Sequence, residues 1–494
     1  MITLSVHPAR CFFDGKKKEL HKMYHALRVR DKSGSWKAFR LLRRLSFFHG
    51  QENRKHKIEK IKEQSKWVKF YNLRNDSFCS GLLERVTKYL ESKHIEYVVK
   101  DYRPKIAKFE KVETVSFEDE VETRPEQLVA INAALQKGRG ILSCATNAGK
   151  TLVAAAVISE AHKRGSNRVL YLVHRVGLAA QTQKVFRGHF GKEIQATVIG
   201  GGKKKIPSHG ILIATVQTAG RLLEKKNVEF KAFLEKCNVV FIDELHTNKA
   251  WTVSNILDYC KAPMRIGLSG TIDKNSKTKM MYYTGLTGPI IAEVTNSDLI
   301  GLGRSAKPHI RMVEVVADRV TGSYAESYRN GIVNNRTRNK LIVRETLRYV
   351  KKNYPTLVIV ARIQHGHELL KRLQGKMDVP VEFIQGSTPL PIRKKIIDKF
   401  ERGDISVLIA SPIFDTGVDI PDIKGWVCAA GGRGWELVLQ RVGRVLRKKT
   451  SGRNEVFLTD MVDRHNNYLF KHSLQRMKHY KKEGFDMEII QHES

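Results

Sequence analysis

The stretch ILSCATNAGKT, residues 141–151, contains the most informative structural signal of this chain. Its apolar first half is typical of a buried strand, and small residues follow up to Gly149-Lys150-Thr151. The next residues, TLVAAAVISEAHKR, have the pattern of a helix. A strand, a loop of small residues and a helix in this order predict a phosphate-binding loop, whose backbone N–H groups hold phosphate oxygens at the helix N-terminus.

The side chains of this loop predict its chemistry. Lys150 is expected to reach the β- and γ-phosphates of ATP, and the Thr151 hydroxyl to bind Mg²⁺. The strict pattern has glycine where this chain has Cys144, and a lone Gly-Lys-Thr also occurs by chance. The residues predicted to contact ATP here are Ala145, Thr146, Asn147, Ala148, Gly149, Lys150 and Thr151.

A second signal strengthens the first. The apolar run NVVFI ends at Asp243-Glu244-Leu245-His246, which places two acids at the carboxyl end of a buried strand. This arrangement predicts that Asp243 holds Mg²⁺ through its water shell while Glu244 polarises the attacking water. The alternative is that the acids only cap a following helix.

A third motif, QRVGRVLR at 440–447, has arginines three residues apart, which lie on one face of a helix. Such arginines can stabilise the charge that develops on a transferring phosphoryl group, because the planar guanidinium binds two phosphate oxygens at once. A basic, solvated helix is the ordinary alternative. A catalytic role for these arginines is favoured only because the other two motifs occur in the same chain.

Outside these motifs, short apolar runs alternate with helical patterns from about residue 123. The first set is GILSCAT, NRVLYLVH, HGILIATV, NVVFIDE and RIGLSG, and the second is TLVIVAR, VEFIQG, SVLIAS, GWVCAAG and NEVFLTD. This rhythm predicts an α/β fold of two tandem parallel-sheet domains. The predicted divisions are a basic α+β domain at 1–108, an acidic linker at 109–122, sheet domains at 123–300 and 301–460, and a C-terminal helical extension at 461–494.

The N-terminal region is strongly basic, with 24 Lys plus Arg against 10 Asp plus Glu in the first hundred residues. KAFRLLRRLSFF and WVKFYNLR look helical, and SGLLERVTKYLESKHIEYVVKDYR reads as an amphipathic helix followed by a strand. Four aromatic residues interleaved with the basic ones could stack on exposed bases, although core packing is the more ordinary role of most of them. They are Trp36, Phe39, Trp67 and Tyr71.

Composition points to a polyanionic partner. The 88 Lys plus Arg and 50 Asp plus Glu give a formal net charge of +38, spread along the whole chain. Six scattered cysteines without a Cys-x-x-Cys pair argue against a zinc module or a disulfide framework. The absence of a long apolar run or a signal-peptide pattern favours a cytoplasmic protein that does not enter a membrane.

With these residues in view, residues 123–460 resemble the superfamily 2 helicases, whose two lobes are RecA-like. The resemblance implies adenine recognition by Arg124 and Gln127, and coupling of hydrolysis to movement by Ser269 and Thr271. It implies that Gly417 and Asp419 lie nearest the nucleotide, and that Arg444 and Arg447, in the motif that begins with Gln440, are arginine fingers. The residues implied to contact nucleic acid are Arg175, Gln181, Thr215, Gln217, Thr218, Arg362, Gly386 and Thr416.

Two features refine this resemblance. His174-Arg175 stands where many relatives carry Pro-Thr before the first strand contact. IGGGKKK (199–205), DTGVD and the basic C-terminal stretch resemble the phage UvsW-type branch-migrating helicases, which implies forked or four-way DNA as the substrate. An RNA helicase, a translocase that moves along duplex DNA without separating it, and a non-hydrolysing DNA clamp are the alternatives to be tested.

Overall fold

A computed structural model describes most of the chain. The described residues are 2–15, 23, 25–30, 67–106, 109–200, 205–247, 250–376, 380–411, 423–432, 446, 448–449 and 454–491. The chain divides into two compact units, residues 1–144 with 149–293, and residues 145–148 with 294–494.

The first unit begins with a small mixed sheet whose strand order is β5-β6-β2-β1-β7. Strand β1 pairs antiparallel with β2 and parallel with β7. Every second residue of β1 is buried, as expected of a strand with one face on a core. The elements are β1 Ile2–Val6, β2 Arg10–Asp14, β3 Arg28–Arg30, β4 Trp67–Lys69, β5 Tyr71–Asn72, β6 Ser77–Cys79, helix α1 Leu83–Ser92 and β7 Tyr97–Asp101.

The N-terminal sequence was partly misread. The predicted helix and strand in SGLLERVTKYLESKHIEYVVKDYR are confirmed as α1 and β7. The helical reading of WVKFYNLR was wrong, because this segment forms β4 and β5. Aromatic and β-branched residues favour the pleated surface of a sheet, and here cross-strand pairing outweighs the basic helical pattern. KAFRLLRRLSFF, with Trp36 and Phe39, lies outside the described residues.

The N-terminal sheet is fastened to the rest of the first unit. Arg10 makes two hydrogen bonds with the carboxylate of Asp258, both 2.8 Å long. Arg139 donates to the backbone oxygen of Pro8. A Cβ atom at Gly81 would lie 1.9 Å from the backbone oxygen of Thr284, so glycine permits this close approach.

A seven-stranded sheet forms the centre of the first unit, in the order β10-β11-β9-β12-β13-β8-β14. From β10 to β8 each strand runs parallel to its neighbour. The elements are α2 Pro125–Lys137, β8 Arg139–Cys144, α3 Lys150–Lys163, β9 Arg168–Val173, α4 Val176–Phe190, β10 Ala196–Ile199, β11 Gly210–Thr215, α5 Val216–Glu224, α6 Val228–Glu235, β12 Val239–Ile242, α7 Ala250–Asp258, β13 Met264–Ser269, α8 Lys277–Thr287 and β14 Ile290–Val294.

The second unit holds another seven-stranded sheet, in the order β17-β18-β16-β19-β20-β15-β21, with all neighbours parallel. The elements are α9 Asn296–Gly301, β15 Lys307–Glu314, α10 Tyr324–Tyr328, a π-helical turn Arg329–Val333, α11 Arg336–Val350, β16 Thr356–Ile359, α12 Ile363–Gln374, β17 Val381–Ile384, α13 Leu390–Glu401, β18 Val407–Ala410, β19 Gly425–Cys428, β20 Glu455–Val462, α14 Asn467–Lys482 and β21 Asp486–Ile490.

The predicted fold class is confirmed, because apolar runs such as those of β11, β13 and β18 are buried along their whole length. Sequence reading missed β10, β14, β15 and β21, whose residues mix apolar and polar types. Strand β21 follows the predicted C-terminal helix and pairs with β15. The described part of the chain contains no helix long and apolar enough to span a bilayer.

Candidate nucleotide and nucleic-acid site

The predicted site residues of the first unit follow the carboxyl ends of five neighbouring strands. Thr215 ends β11, Arg175 follows β9, Asp243 follows β12, Ser269 ends β13 and Lys150 follows β8. Because the strands are parallel, these ends share one edge of the sheet, where α/β proteins bind ligands. We call the ends of β12, β13 and β8 the acidic half of this edge, and the ends of β11 and β9 the polar half.

Backbone geometry at the start of α3 is that of a phosphate-binding turn. Gly149 is the N-cap of α3 and has a left-handed backbone, with φ of 78°, which favours glycine. A Cβ atom at Gly149 would lie 2.4 Å from Nε2 of Gln127, so a side chain there would displace it. The nearly fully buried Gln127 in turn accepts a hydrogen bond at Oε1 from the Arg124 backbone N–H, 2.9 Å long. The predicted adenine-recognition residues therefore lie directly behind the predicted loop.

The acids of the acidic half lie beside Lys150. Lys150 Nζ is 3.7 Å from Glu244 Oε1. The backbone N–H of Glu244 donates to Asp243 Oδ1 at 2.9 Å. Glu244 has a left-handed backbone with φ of 45°, an unfavourable conformation for a glutamate that is more often found at functional sites.

Packing around Asp243 perturbs its titration. The pKa of the Asp243 carboxyl is raised to about 7, first because protein atoms shield it from water and then because Glu244 repels a second negative charge. Lys150 opposes both effects but does not cancel them. A charged Asp243 is therefore costly without a further cation close by.

This environment fits Mg²⁺. A carboxylate and the Thr151 hydroxyl at the start of α3 are hard oxygen donors of the kind that Mg²⁺ prefers. Burial and the Glu244 carboxylate raise the pKa of Asp243, and a divalent ion would offset both effects. The described residues hold no group of three or more His, Cys, Asp or Glu arranged so that they could bind a metal ion by themselves, so such an ion would depend on phosphate oxygens and water for its other ligands.

His246 joins the acids to the next strand, and sequence reasoning missed it. Its Nδ1 lies 2.8 Å from the Ser269 hydroxyl and 3.5 Å from Glu244 Oε2, while its Nε2 lies 3.4 Å from Thr271 Oγ1. Ser269 and Thr271 are the residues predicted to couple hydrolysis to movement. The sequence does contain a signal for this role, because His246 is the last residue of Asp-Glu-Leu-His and lies about one helical turn after Asp243.

The polar half has an ordinary, unstrained geometry. Thr215 caps α5, because its hydroxyl accepts the Thr218 backbone N–H at 3.1 Å and donates to the Thr218 hydroxyl at 2.9 Å. Arg175 and Gln217 are exposed beside these caps, and Gln181 is exposed on α4. The pKa of His174 is lowered by burial and by Arg175. Positive charge at this position therefore comes from Arg175.

The second unit holds two more of the predicted contacts at its own sheet edge. Arg362, exposed at the N-cap of α12, follows β16, and its guanidinium lies 5.8 Å from the ring centre of Tyr328. Gly386 is in the exposed turn after β17. Residues 145–148 of the predicted phosphate-binding loop group with this unit. Among them, the Asn147 side-chain amide donates a hydrogen bond to the Ser305 hydroxyl at 3.2 Å.

Several predicted residues lie outside the described part of the chain, and their roles stay predictions. They are Thr416, Gly417, Asp419, Gln440, Arg444 and Arg447.

The sequence matches two protein-family models. Residues 120–274 match the type III restriction enzyme res subunit family, and residues 338–449 match the helicase conserved C-terminal domain. Together the two matches take in more than half of the chain.

Two curated relatives and one solved structure extend these matches. The ATP-dependent DNA helicase uvsW of Enterobacteria phage T4 is 24% identical over 403 residues, which cover 76% of this chain and 78% of that protein. The DNA 3'-5' translocase XPB2 of Sulfurisphaera tokodaii is 24% identical over 384 residues, or 70% and 82% of the two chains. The helicase MrfA, solved with DNA and AMPPNP, shares the fold with a TM-score of 0.56 at 17% identity, covering 78% of this chain and 56% of its own.

Proposed function

Because this chain belongs to the ATP-dependent helicases of superfamily 2, we propose that it unwinds or branch-migrates forked and four-way DNA. One observation carries the choice of branched DNA. The N-terminal hundred residues carry 24 Lys plus Arg against 10 Asp plus Glu, and their sheet is fastened through Arg10 to Asp258 of the ATP-binding domain, so a second basic region is tethered to the motor. Two surfaces that hold phosphates independently suit a substrate whose arms diverge.

Hydrolysis in this proposal is one displacement at the γ-phosphorus of ATP. The oxygen of a water molecule bonds to that phosphorus, while the bond to the oxygen shared with the β-phosphate breaks and its electron pair leaves with ADP. Glu244 orients the water and accepts its proton, and Lys150 leaves Glu244 to bind the β- and γ-phosphates. Thr151 and Asp243 would hold Mg²⁺, which would neutralise charge on these phosphates.

The remaining roles complete the ATP site and its link to the nucleic acid. Arg124 and Gln127 bind the adenine, and the backbone of residues 145–149 holds the phosphates. Arg444 and Arg447 stabilise the charge that develops on the γ-phosphate, and Gly417 and Asp419 lie near the nucleotide. His246 reports the state of the γ-phosphate from Glu244 to Ser269 and Thr271. Some contacts form only while the γ-phosphate is present. They make the free energies of the ATP-bound and ADP-bound states differ, and this difference changes how the protein binds DNA.

Contacts with the track are proposed at the polar half and at the second sheet. Arg175, Gln217 and Arg362 are exposed donors that can bind backbone phosphates without reading sequence. Gln181, Thr218, Gly386 and Thr416 complete this proposed track, while Thr215 shapes it by capping α5.

A substrate comparison tests the proposal. The purified chain is given ATP, Mg²⁺ and one of three labelled DNA molecules with equal paired lengths, namely a four-way junction, a fork and a duplex with a simple overhang. We expect faster strand separation of the junction and the fork than of the overhang, and none without ATP. Equal rates on all three would contradict the preference for branched DNA.

The alternative activities give different results. ATP hydrolysis stimulated by RNA but not by DNA would identify an RNA helicase. Displacement of a third strand from fully paired DNA, without unwinding of any substrate, would identify a duplex translocase. Tight DNA binding without any ATP hydrolysis would identify a clamp and contradict the catalytic roles above.

A further inference from the structure

An aromatic groove lies where the N-terminal sheet meets helices α7 and α8, all within the first unit. Its volume is 1220 Å³, and it is separate from the sheet edge that carries the ATP site residues. The residues that define it are Lys69, Phe70, Tyr71, Arg74, Trp251 and Tyr282.

The groove contains aromatic side chains that are exposed to solvent and not buried in the core. Trp251 is 74% exposed and Tyr282 is 39% exposed, although tryptophan and tyrosine usually bury most of their area. Phe70 contacts Tyr282 edge-to-face with ring centres 4.7 Å apart, and the Tyr71 hydroxyl donates to Asp76 at 2.6 Å. Phe70 and Tyr71 are thus held by neighbours, while Trp251 and part of Tyr282 remain accessible to solvent. A connected patch of this kind indicates a binding surface.

Charge decides which kind of partner fits. Of the described residues that line the groove, four are basic and one is acidic, and that acid, Asp258, is paired with Arg10. Lys279 Nζ also lies 3.8 Å from Asp273 Oδ2, but the lining itself, with Lys69, Arg74 and Lys279, carries more basic than acidic side chains. A protein segment needs no such excess of cations, whereas a phosphate backbone does.

Aromatic faces beside cations are the surface on which unpaired bases stack. Each base offers a π-face, so stacking binds any sequence, but only bases that are not paired with a complementary strand can enter. We propose that the aromatic groove binds a segment of single-stranded DNA, with bases on Trp251 and Tyr282 and phosphates on Lys69, Arg74 and Lys279. This inference rests on the proposed function for the choice of DNA, and it makes the groove the place where one separated strand is held.

The groove is joined to the proposed track by direct packing. Helix α5, which begins after Thr215, packs on α7 where a Cβ atom at Gly220 would lie 3.0 Å from Thr252, the residue next to Trp251. Helix α7 follows the turn that contains His246, and α8 follows Thr271. Both helices that present the aromatic rings therefore come directly from segments of the ATP site, so a strand in the groove can respond to the nucleotide.

Strand binding without nucleotide is the direct test. Fluorescence anisotropy would measure the affinity of labelled oligothymidine for the wild type, for Trp251→Ala with Tyr282→Ala, and for a control, Tyr259→Ala. Tyr259 is also exposed and lies one residue beyond α7, but it does not line the groove. We expect the double variant to lose roughly 30-fold or more in affinity, because two stacked bases at about 1–3 kcal/mol each contribute at least about 2 kcal/mol. The control should stay within twofold, and a double variant within twofold of the wild type would overturn the proposal.

A second pair of variants guards against misfolding. Loss of ATP hydrolysis in the absence of DNA would indicate that the double aromatic variant is misfolded. In that case Arg74→Glu is tested instead. Its control is Lys225→Glu, which makes the same change of charge at an exposed residue outside the groove. Arg74→Glu should weaken strand binding and reduce its salt dependence, whereas Lys225→Glu should not. Equal binding by both would overturn the proposal.

Cross-linking locates the strand and separates this inference from the proposed function. Irradiation of wild type bound to iododeoxyuridine-substituted single strands should attach the base to Trp251 or Tyr282, and adducts only at other positions would overturn the groove assignment. A wild type that binds strands through the groove but unwinds no DNA would instead contradict the proposed function. A wild type that unwinds forks while the groove variants bind normally would contradict only the groove.

Discussion

The two halves of the first sheet edge use the same architecture in opposite ways. In the acidic half, Lys150 lies against Glu244, Glu244 has a left-handed backbone and Asp243 titrates far above its usual range. In the polar half, Thr215 makes a regular helix cap, and Arg175 and Gln217 extend into solvent. Phosphoryl transfer needs shielded, mutually perturbed charges, whereas DNA contacts that must be released at each step need exposed donors.

The largest expected effect comes from Lys150. Lys150→Ala should lower ATP hydrolysis by about 10³-fold or more, because a positioned charge on the transferring phosphate is lost. DNA affinity without nucleotide should stay within threefold, since Lys150 belongs to the acidic half alone. Steady-state hydrolysis and anisotropy measure the two quantities. Unchanged turnover would refute the site assignment.

His246 should give the next largest effect, and it tests how the acidic half communicates. His246→Ala removes the link from Glu244 to Ser269 and Thr271. We expect DNA stimulation of ATP hydrolysis to fall about tenfold, within the usual range of coupling between sites, while hydrolysis without DNA changes far less. Measured rates with and without saturating single strands decide this. An equal loss in both would make His246 a part of the chemistry itself.

Asp243 gives a prediction about stability against pH. Its folded pKa of about 7 is above the ordinary value of 3.8, so the folded state favours the protonated form and the wild type loses stability as pH rises from about 4 through 7. The side chain of Asp243→Asn stays neutral at every pH. Above pH 7 its free energy of unfolding should therefore exceed that of the wild type by on the order of 1–3 kcal/mol, and the variant should melt at a higher temperature.

The Asp243 comparison requires protein without Mg²⁺ or nucleotide, because either would change the charge around the carboxylate. Thermal melts at pH 4 and pH 8 should show the difference between variant and wild type at the higher pH and little at the lower. A constant difference at both pH values would show that the carboxyl is not perturbed.

The smallest effect is expected in the polar half. Arg175→Ala should weaken DNA binding a few-fold for every sequence and lower the salt slope of binding by about one, as removal of one phosphate contact does. Anisotropy titrations across salt concentrations measure that slope, with Lys225→Glu as an exposed basic control. A loss that depended on DNA sequence would contradict a backbone contact at Arg175.

Much of the fold could be predicted because its signals are local. Buried parallel strands read as continuous apolar runs, and the stretches around Ile141, Ile211 and Val239 became β8, β11 and β12. Strands with mixed composition, such as β15 and β21, were missed because pairing with neighbours far along the chain decides them. WVKFYNLR was misread because pairing also decides it: β4 pairs with the distant β3, and β5 pairs with the nearby β6.

For the site, local sequence was enough to identify which side chains stand at strand ends and what chemistry their types allow. Their order along the edge, β11-β9-β12-β13-β8, which separates the acidic half from the polar half, follows from how the strands pair in the folded sheet. It also decided the raised pKa of Asp243 and the contacts of His246, because shielding from water and distances to other strands are not properties of a local sequence. The aromatic groove has the same origin, since Phe70 and Tyr282 meet only when the N-terminal sheet packs on α8.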